Sequence, residues 1–265
     1  MILDPTMQYY NYPELPPSMI GSYYLPIVPE DAGLPADLRR VPLRTPPQET
    51  YYLVDFRPTS EQGSIRGSGT YSGYHASYLR SVLLSNTPQY RRMAFGLLLR
   101  EGVPGFELST METSNITTLQ SSPMIEFTGT MPNAFVPIGN GLVSLEIPWF
   151  VKPAPGLMSI GSTKNRSSTI NIDYFELTSP IRQVTVVNIP SGYELYGIPD
   201  SAEFEFKDIA VSYRYQEEEG KLTCERYLYV PITSFEAEEL DGFNALMEQV
   251  FRKEQERVIL KRTGR

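Results

Sequence analysis

Ile209-Ala210-Val211-Ser212-Tyr213-Arg214-Tyr215-Gln216-Glu217-Glu218-Glu219-Gly220-Lys221-Leu222-Thr223-Cys224-Glu225-Arg226-Tyr227-Leu228-Tyr229-Val230 is the run that decides the fold class. Ile209, Val211, Tyr213 and Tyr215 repeat every second residue, as side chains on one face of a pleated strand do. The Glu217-Glu218-Glu219-Gly220 turn then returns the chain through Leu222, Cys224, Leu228 and Val230, so the segment reads as an antiparallel hairpin with one buried face. Upstream, Val184 to Ile189 forms a strand, Pro190-Ser191-Gly192-Tyr193 a turn, and Phe204 and Phe206 alternate with Glu203, Glu205 and Lys207. Downstream, Phe243, Leu246, Met247, Val250 and Phe251 trace an amphipathic helix over about 237–254. Val258-Ile259-Leu260 reads as a last strand whose following Lys261 and Arg262 are charges of the kind that protect a sheet edge.

The middle of the chain continues the β pattern. From Thr50, Tyr51, Leu53 and Asp55 alternate with Tyr52, Val54 and Phe56, and a turn at Arg57-Pro58-Thr59-Ser60 leads into the Gly- and Ser-rich run from Gly63 to Tyr71. Gly63, Gly67, Gly69 and Gly73 lack the Lys-Ser/Thr ending of a P-loop and the GxGxxG order, so bulges or close backbone approach are expected there. Residues 74–100 form a helical pair divided at Thr87-Pro88, an N-cap followed by a first helical residue. Leu79, Val82, Leu83, Tyr90, Met93, Ala94, Leu97 and Leu98 fall at spacings of three and four and are expected to face a sheet. Strands then return at Phe106, Ile125, Val143 to Ile147, and Ile170 to Phe175, with antiparallel pairing expected from the short connections. The expected fold is mainly β (α+β), antiparallel sheets of sandwich type with the helical pair and the C-terminal helix packed on them.

Residues 1–48 differ: they hold ten of the 23 prolines, interleaved with Tyr9, Tyr10, Tyr12, Tyr23 and Tyr24. Such spacing favours extended and turn conformations and leaves too few donors for a central strand. The segment reads as a strap, and the domain expectation is 1–48 strap, 49–178 β-rich domain with the helical pair, and 179–265 C-terminal β domain with helix, the last two open to forming one unit.

Composition removes several function classes. A formal charge of -8 and a pI near 4.9 argue against phosphate-backbone binding, and Arg39-Arg40 and Arg91-Arg92 read as solvated faces, so no nucleic-acid partner is expected. One cysteine excludes an internal disulfide and a multi-thiolate metal site, and one histidine excludes most His-based sites. No metal or cofactor motif is present and none is expected to bind. No stretch approaches the ~18 apolar residues of a membrane span, so none is expected. The start has no basic n-region or apolar run of signal length, and any export signal is expected on upstream sequence.

Candidate chemistry is sparse. Cys224, His75 and Asp4 formally make a Cys-His-Asp set, which needs an accessible thiolate beside an electropositive group. Cys224 is in phase with the buried residues of its strand, and His75 opens the first helix, where the positive terminus disfavours imidazolium and a surface or capping role is expected. Glu203 with Glu205, and Glu217 to Glu219, lie on a solvent face and in a turn rather than facing each other across a pocket. Tyr9, Tyr10, Tyr23, Tyr24 and Trp149 are the candidate platform for a glycan or peptide, against the simpler reading that the strap tyrosines anchor it and Trp149 plugs the core.

Ser179-Pro180-Ile181-Arg182, the strand to Ile189-Pro190-Ser191-Gly192-Tyr193-Glu194-Leu195, Ile198-Pro199, the hairpin to Val230-Pro231-Ile232, the helix and Val258-Ile259-Leu260-Lys261 together resemble the C-terminal β domain of large bacterial transglutaminase-like proteins. Gly63 to Arg100 resembles the segment that follows their papain-like core. In that family the core ends in a strand reading Leu-Asp-Pro-Thr, whose Asp is the third member of a Cys-His-Asp triad. Leu3-Asp4-Pro5-Thr6 matches it residue by residue, so the resemblance implies that Asp4 is an orphan triad residue whose Cys and His lie upstream. Cys224 and His75 do not occupy their motif positions. The resemblance implies a non-catalytic accessory or scaffold module, an engineered piece, a cleaved fragment or a truncated gene product. Its partner is then the upstream core or another protein surface, in the periplasm or cell envelope. A glycan- or peptide-binding β-sandwich module and, last, an intact cysteine hydrolase are the alternatives in function, and the cytoplasm is the alternative location.

Overall fold

A computed structural model describes residues 49–151, 179–231 and 235–263 in full, and residues 23–24, 39–40, 170–172 and 233–234 by their backbone. The 209–230 run forms β13 (Ile209–Glu218) and β14 (Lys221–Tyr229), an antiparallel hairpin closed at Gly220, whose φ of +71 suits glycine. They join β12 (Ala202–Phe206), β10 (Ile181–Asn188), β3 (Thr50–Pro58), β4 (Gln62–Thr70), β6 (Met124–Pro132) and β5 (Glu107–Ser114) in an eight-stranded sheet of order β12-β13-β14-β10-β3-β4-β6-β5. A four-stranded sheet has the order β11 (Tyr193–Gly197), β16 (Val258–Arg262), β8 (Leu142–Leu145), β7 (Phe135–Gly139). Two short pairs complete the described strands: β1 (Tyr23–Tyr24) with β2 (Arg39–Arg40), and β9 (Ile170–Ile172) with β15 (Thr233–Phe235). The protein is mainly β with packed helices and sandwich-like, as its sequence pattern requires.

One pairing departs from the antiparallel expectation. β3 and β10 run parallel, with Ile181 opposite Thr50 and Val187 opposite Phe56. Parallel neighbours need a long connection rather than a tight turn, and more than a hundred residues lie between these two strands. Both sheets draw strands from either side of residue 179, β3 to β8 from one and β10 to β14 with β16 from the other. The final strand is also not an edge: β16 pairs with β11 on one side and β8 on the other. Its Val258 and Leu260 are fully buried, whereas a free edge leaves a row of backbone groups to solvent. Of the strand expected over Ile170 to Phe175, the part beyond Ile172 lies outside the described residues.

The inner face of β4 explains its glycines. Gly63, Gly67 and Gly69 point into the core, and the rings of Phe56, Phe127 and Tyr71 respectively fill the space their Cβ atoms would need. Glycine here is a socket for an aromatic ring rather than a bulge. Phe127 sits at the centre of an edge-to-face cluster with Phe95, Phe106 and Phe150, centroids 5.2 to 6.1 Å apart.

Among the described residues three helices cover this face: α1 (Gly73–Leu84), α2 (Pro88–Gly102) and α3 (Leu240–Glu254), the last entered through a 3-10 turn at Ala237–Glu239. Thr87 and Pro88 hold the N-cap and first helical positions, but the Thr87 side chain makes no capping hydrogen bond. α1 buries Leu79 and Leu83 as expected. α2 does not bury the expected stripe: Tyr90, Met93 and Leu97 are about half exposed, and Phe95, Gly96, Leu99 and Gly102 face the sheet instead. The helix is apolar on both sides, so spacing alone selects no face, and the close approach of Gly102 to the Phe150 backbone fixes the rotation. Among the described residues no helix is long and apolar enough to cross a membrane.

Candidate functional site

Side chains at alternate positions make a polar row across the inner face of the large sheet. Tyr213 of β13 lies opposite Arg226 of β14, Arg226 opposite Gln183 of β10, and Gln183 opposite Tyr52 of β3. A buried guanidinium requires partners. Arg226, 1% exposed, donates to Glu254 Oε1 of α3 at 2.8 Å, donates to the Val151 carbonyl, and stacks over the Trp149 ring at 4.7 Å from its centroid. The Tyr213 hydroxyl donates to the same Glu254 oxygen at 2.5 Å. Gln183 donates from Nε2 to the Pro148 carbonyl at 2.6 Å and accepts the Phe150 N–H on Oε1 at 2.9 Å. Pro148 to Val151 is thus strung across the sheet by the two polar side chains beneath it. Arg80 of α1, also 1% exposed, does the same for another loop, donating to the carbonyls of Ile116, Thr118 and Ser121.

Beside this row, between α1, α2, the Pro148–Val151 crossing and the end of α3, lies a cavity of about 770 Å³. Its wall includes the rings of Tyr52, Tyr71, Tyr74, Phe95, Phe150 and Phe251. Burial pushes the Tyr52 phenol up to about 12, and burial followed by the neighbouring Tyr52 pushes the Tyr71 phenol well above its ordinary value. The Tyr71 hydroxyl is buried against the Tyr52 phenol and has no other hydrogen-bond partner among the described residues. Glu101, Glu146, Glu254 and Arg257 are the formally charged groups of the lining.

The residues singled out in the sequence are dispersed. Cys224 is fully buried, opposite Thr185 and Tyr215 on its neighbouring strands, and desolvation pushes its thiol far up. His75 is half-buried at the start of α1 with Nδ1 3.0 Å from Thr50 Oγ1, which also accepts the Ser72 N–H at 3.1 Å. Thr50 lies four residues along β3 from the row of Cys224 and two strands across, about 16 Å away by strand rise and spacing. The structure therefore does not bring Cys224 and His75 together. Asp4, Tyr9 and Tyr10 lie outside the described residues, as do the side chains of Tyr23 and Tyr24. Trp149 is 6% exposed beneath Arg226. Glu203 is exposed and pairs with Arg214 at 2.9 Å, Glu205 is exposed, and Glu217 to Glu219 are exposed at the hairpin end. Arg91 and Arg92 donate to the carbonyls of Asn86, Leu108 and Ser109. Among the described residues no group of three or more His, Cys, Asp or Glu is placed to hold a metal.

Arg226, Gln183 and Glu254 escape a reading for catalytic motifs, yet each carries a signal in phase. Arg226 continues the Leu222, Cys224, Leu228 alternation, Gln183 continues Ile181 and Val187, and Glu254 follows Met247 and Val250 at helical spacing.

A family model described as a domain of unknown function with solved structure, DUF3858, is similar to residues 158–260. The matched stretch runs from before β9 to Leu260 within β16 and includes Gln183, Cys224, Arg226 and Glu254. No curated protein matches the chain in sequence.

Proposed function

We propose that this chain is a non-catalytic accessory module that works beside a transglutaminase-like core in a bacterial envelope protein. The observation that carries the reading is the destination of its interior polar groups. Arg80, Gln183 and Arg226 end on backbone groups of the same chain, while the single thiol is buried in a strand with its ionisation suppressed. Such side chains hold a scaffold in shape; a nucleophile needs the opposite environment, an accessible and stabilised thiolate. The order of elements after residue 179 and the run Leu3-Asp4-Pro5-Thr6 support the transglutaminase-like context, with Asp4 orienting a histidine of the core.

The test is an assay of the purified chain for amide hydrolysis and for transfer of a primary amine to a glutamine peptide. The expected result is no turnover. Turnover that disappears in Cys224→Ala overturns the accessory reading. Envelope placement is checked separately by fractionating cells that express the full-length native gene.

A further inference from the structure

We propose that the cavity between the helical pair and α3 binds an apolar organic cation, an ammonium group attached to an aromatic or alkyl body. This goes beyond the accessory role and does not depend on it. At about 770 Å³ the cavity falls within the roughly 300–1,000 Å³ of small-ligand pockets. Its wall is unusually rich in rings. Tyr52 and Tyr71 meet edge to face at 5.5 Å, and Tyr74 stacks on the part-exposed Tyr78 with centroids 5.9 Å and planes 15° apart. Ring faces are electron-rich and attract a cation, an effect that grows as water is excluded.

Charge selects the sign of the ligand. Glu146 pairs with Arg257 at 3.4 Å and Glu254 with Arg226 at 2.8 Å, while Glu101, exposed at the last turn of α2, makes no ion pair among the described residues. The lining thus keeps one carboxylate over for a cation, and its carboxylates outnumber its one guanidinium, Arg257, so a cation is favoured over an anion. A second, independent observation lies in the same wall: Tyr71 is 5% exposed, and its hydroxyl has no partner among the described residues but the neighbouring Tyr52 phenol. A buried polar atom left in this state calls for a partner, and its oxygen lone pairs accept an ammonium N–H.

The test is titration of the full chain with phenethylammonium, phenethyl alcohol and phenylacetate by calorimetry, with the same series on Glu101→Gln and Tyr78→Ala. Both substituted residues are exposed enough for the fold to persist, which circular dichroism verifies. The expected result is that the ammonium binds about tenfold more tightly than the alcohol and that phenylacetate does not bind. Glu101→Gln removes most of that preference without weakening the alcohol, and Tyr78→Ala weakens the ammonium severalfold. Equal binding of ammonium and alcohol, a preference unchanged in Glu101→Gln, or no binding by the ammonium overturns the proposal.

Discussion

The guanidinium of Arg226 and the carboxylate of Glu254 meet at 2.8 Å, one from the middle of β14 and the other from the last turn of α3, with side chains only 1% and 12% exposed. This contact ties the C-terminal helix to the large sheet and, through the Val151 carbonyl and the Trp149 ring, to the chain crossing between them. A buried pair differs from a surface one in that losing either member strands the other charge away from water.

Arg226→Met and Glu254→Leu are therefore each expected to cost about 3–5 kcal/mol, and the double variant much less than their sum. Urea unfolding of the four proteins measures this. Additive losses below about 1 kcal/mol each would mean the pair is solvated in solution.

Cys224 is expected to resist thiol reagents in native buffer and to react only as fast as the protein unfolds. It is fully buried, and desolvation keeps it protonated. Following modification against denaturant concentration checks this, since rapid labelling of the native protein contradicts the burial.

How far the sequence foretold these features depends on whether the physical signal is local. The 209–230 hairpin was legible because alternation and a Gly turn are both local, and so were the two helices divided at Pro88. The parallel pairing of β3 with β10 was not, because nothing within either strand names a neighbour that distant. The glycines of β4 were legible only as bulges or sites of close approach: the rings that press on them, Phe56 of β3 and Phe127 of β6, come from other strands, which nothing local to β4 names. At the candidate site, the inward phase of Arg226 and Gln183 was available. Their role as clamps on Pro148 to Val151 required the tertiary structure.

The buried phenols predict an alkaline limit. Tyr52 has an ordinary value of 10.0 raised to about 12 in the fold, so the native state keeps a proton that the unfolded chain releases. Its contribution is fully present below pH 10 and is lost as pH rises through 12, on the order of 2–3 kcal/mol in all. Tyr71 and Tyr213 are raised in the same sense, mainly by burial. Urea midpoints are expected to fall steadily above pH 10, with tyrosinate absorbance rising in step with unfolding. Tyr52→Phe is expected to flatten that slope.

Gly67→Ala is expected to destabilise by at least about 1–3 kcal/mol, because the Phe127 ring occupies the site of the new methyl. Ser68→Ala, one residue on and facing the opposite side of the strand, is expected to change stability by less than about 0.5 kcal/mol. Trimming the ring in Gly67→Ala/Phe127→Leu should recover part of the loss relative to the sum of the single variants. A strictly additive double variant would place the strain elsewhere.

The two faces of α2 offer the sharpest contrast, since both are apolar and only one is buried. Met93 and Leu97 are 51% and 52% exposed, whereas Phe95 and Leu99 are 2% and 3% exposed. Replacing Met93 by Gln or Leu97 by Gln removes little buried area and keeps a good helix former, so each should shift stability by no more than about 0.5 kcal/mol. Phe95→Ala empties a site beside the Phe127 ring and Leu99→Ala one beneath the helix, each costing about 2–5 kcal/mol. Thermal unfolding of these four variants reads out the rotation of the helix directly. If the Met93 and Leu97 variants prove the costly pair, α2 turns its other face to the sheet and the wall of the cavity changes with it.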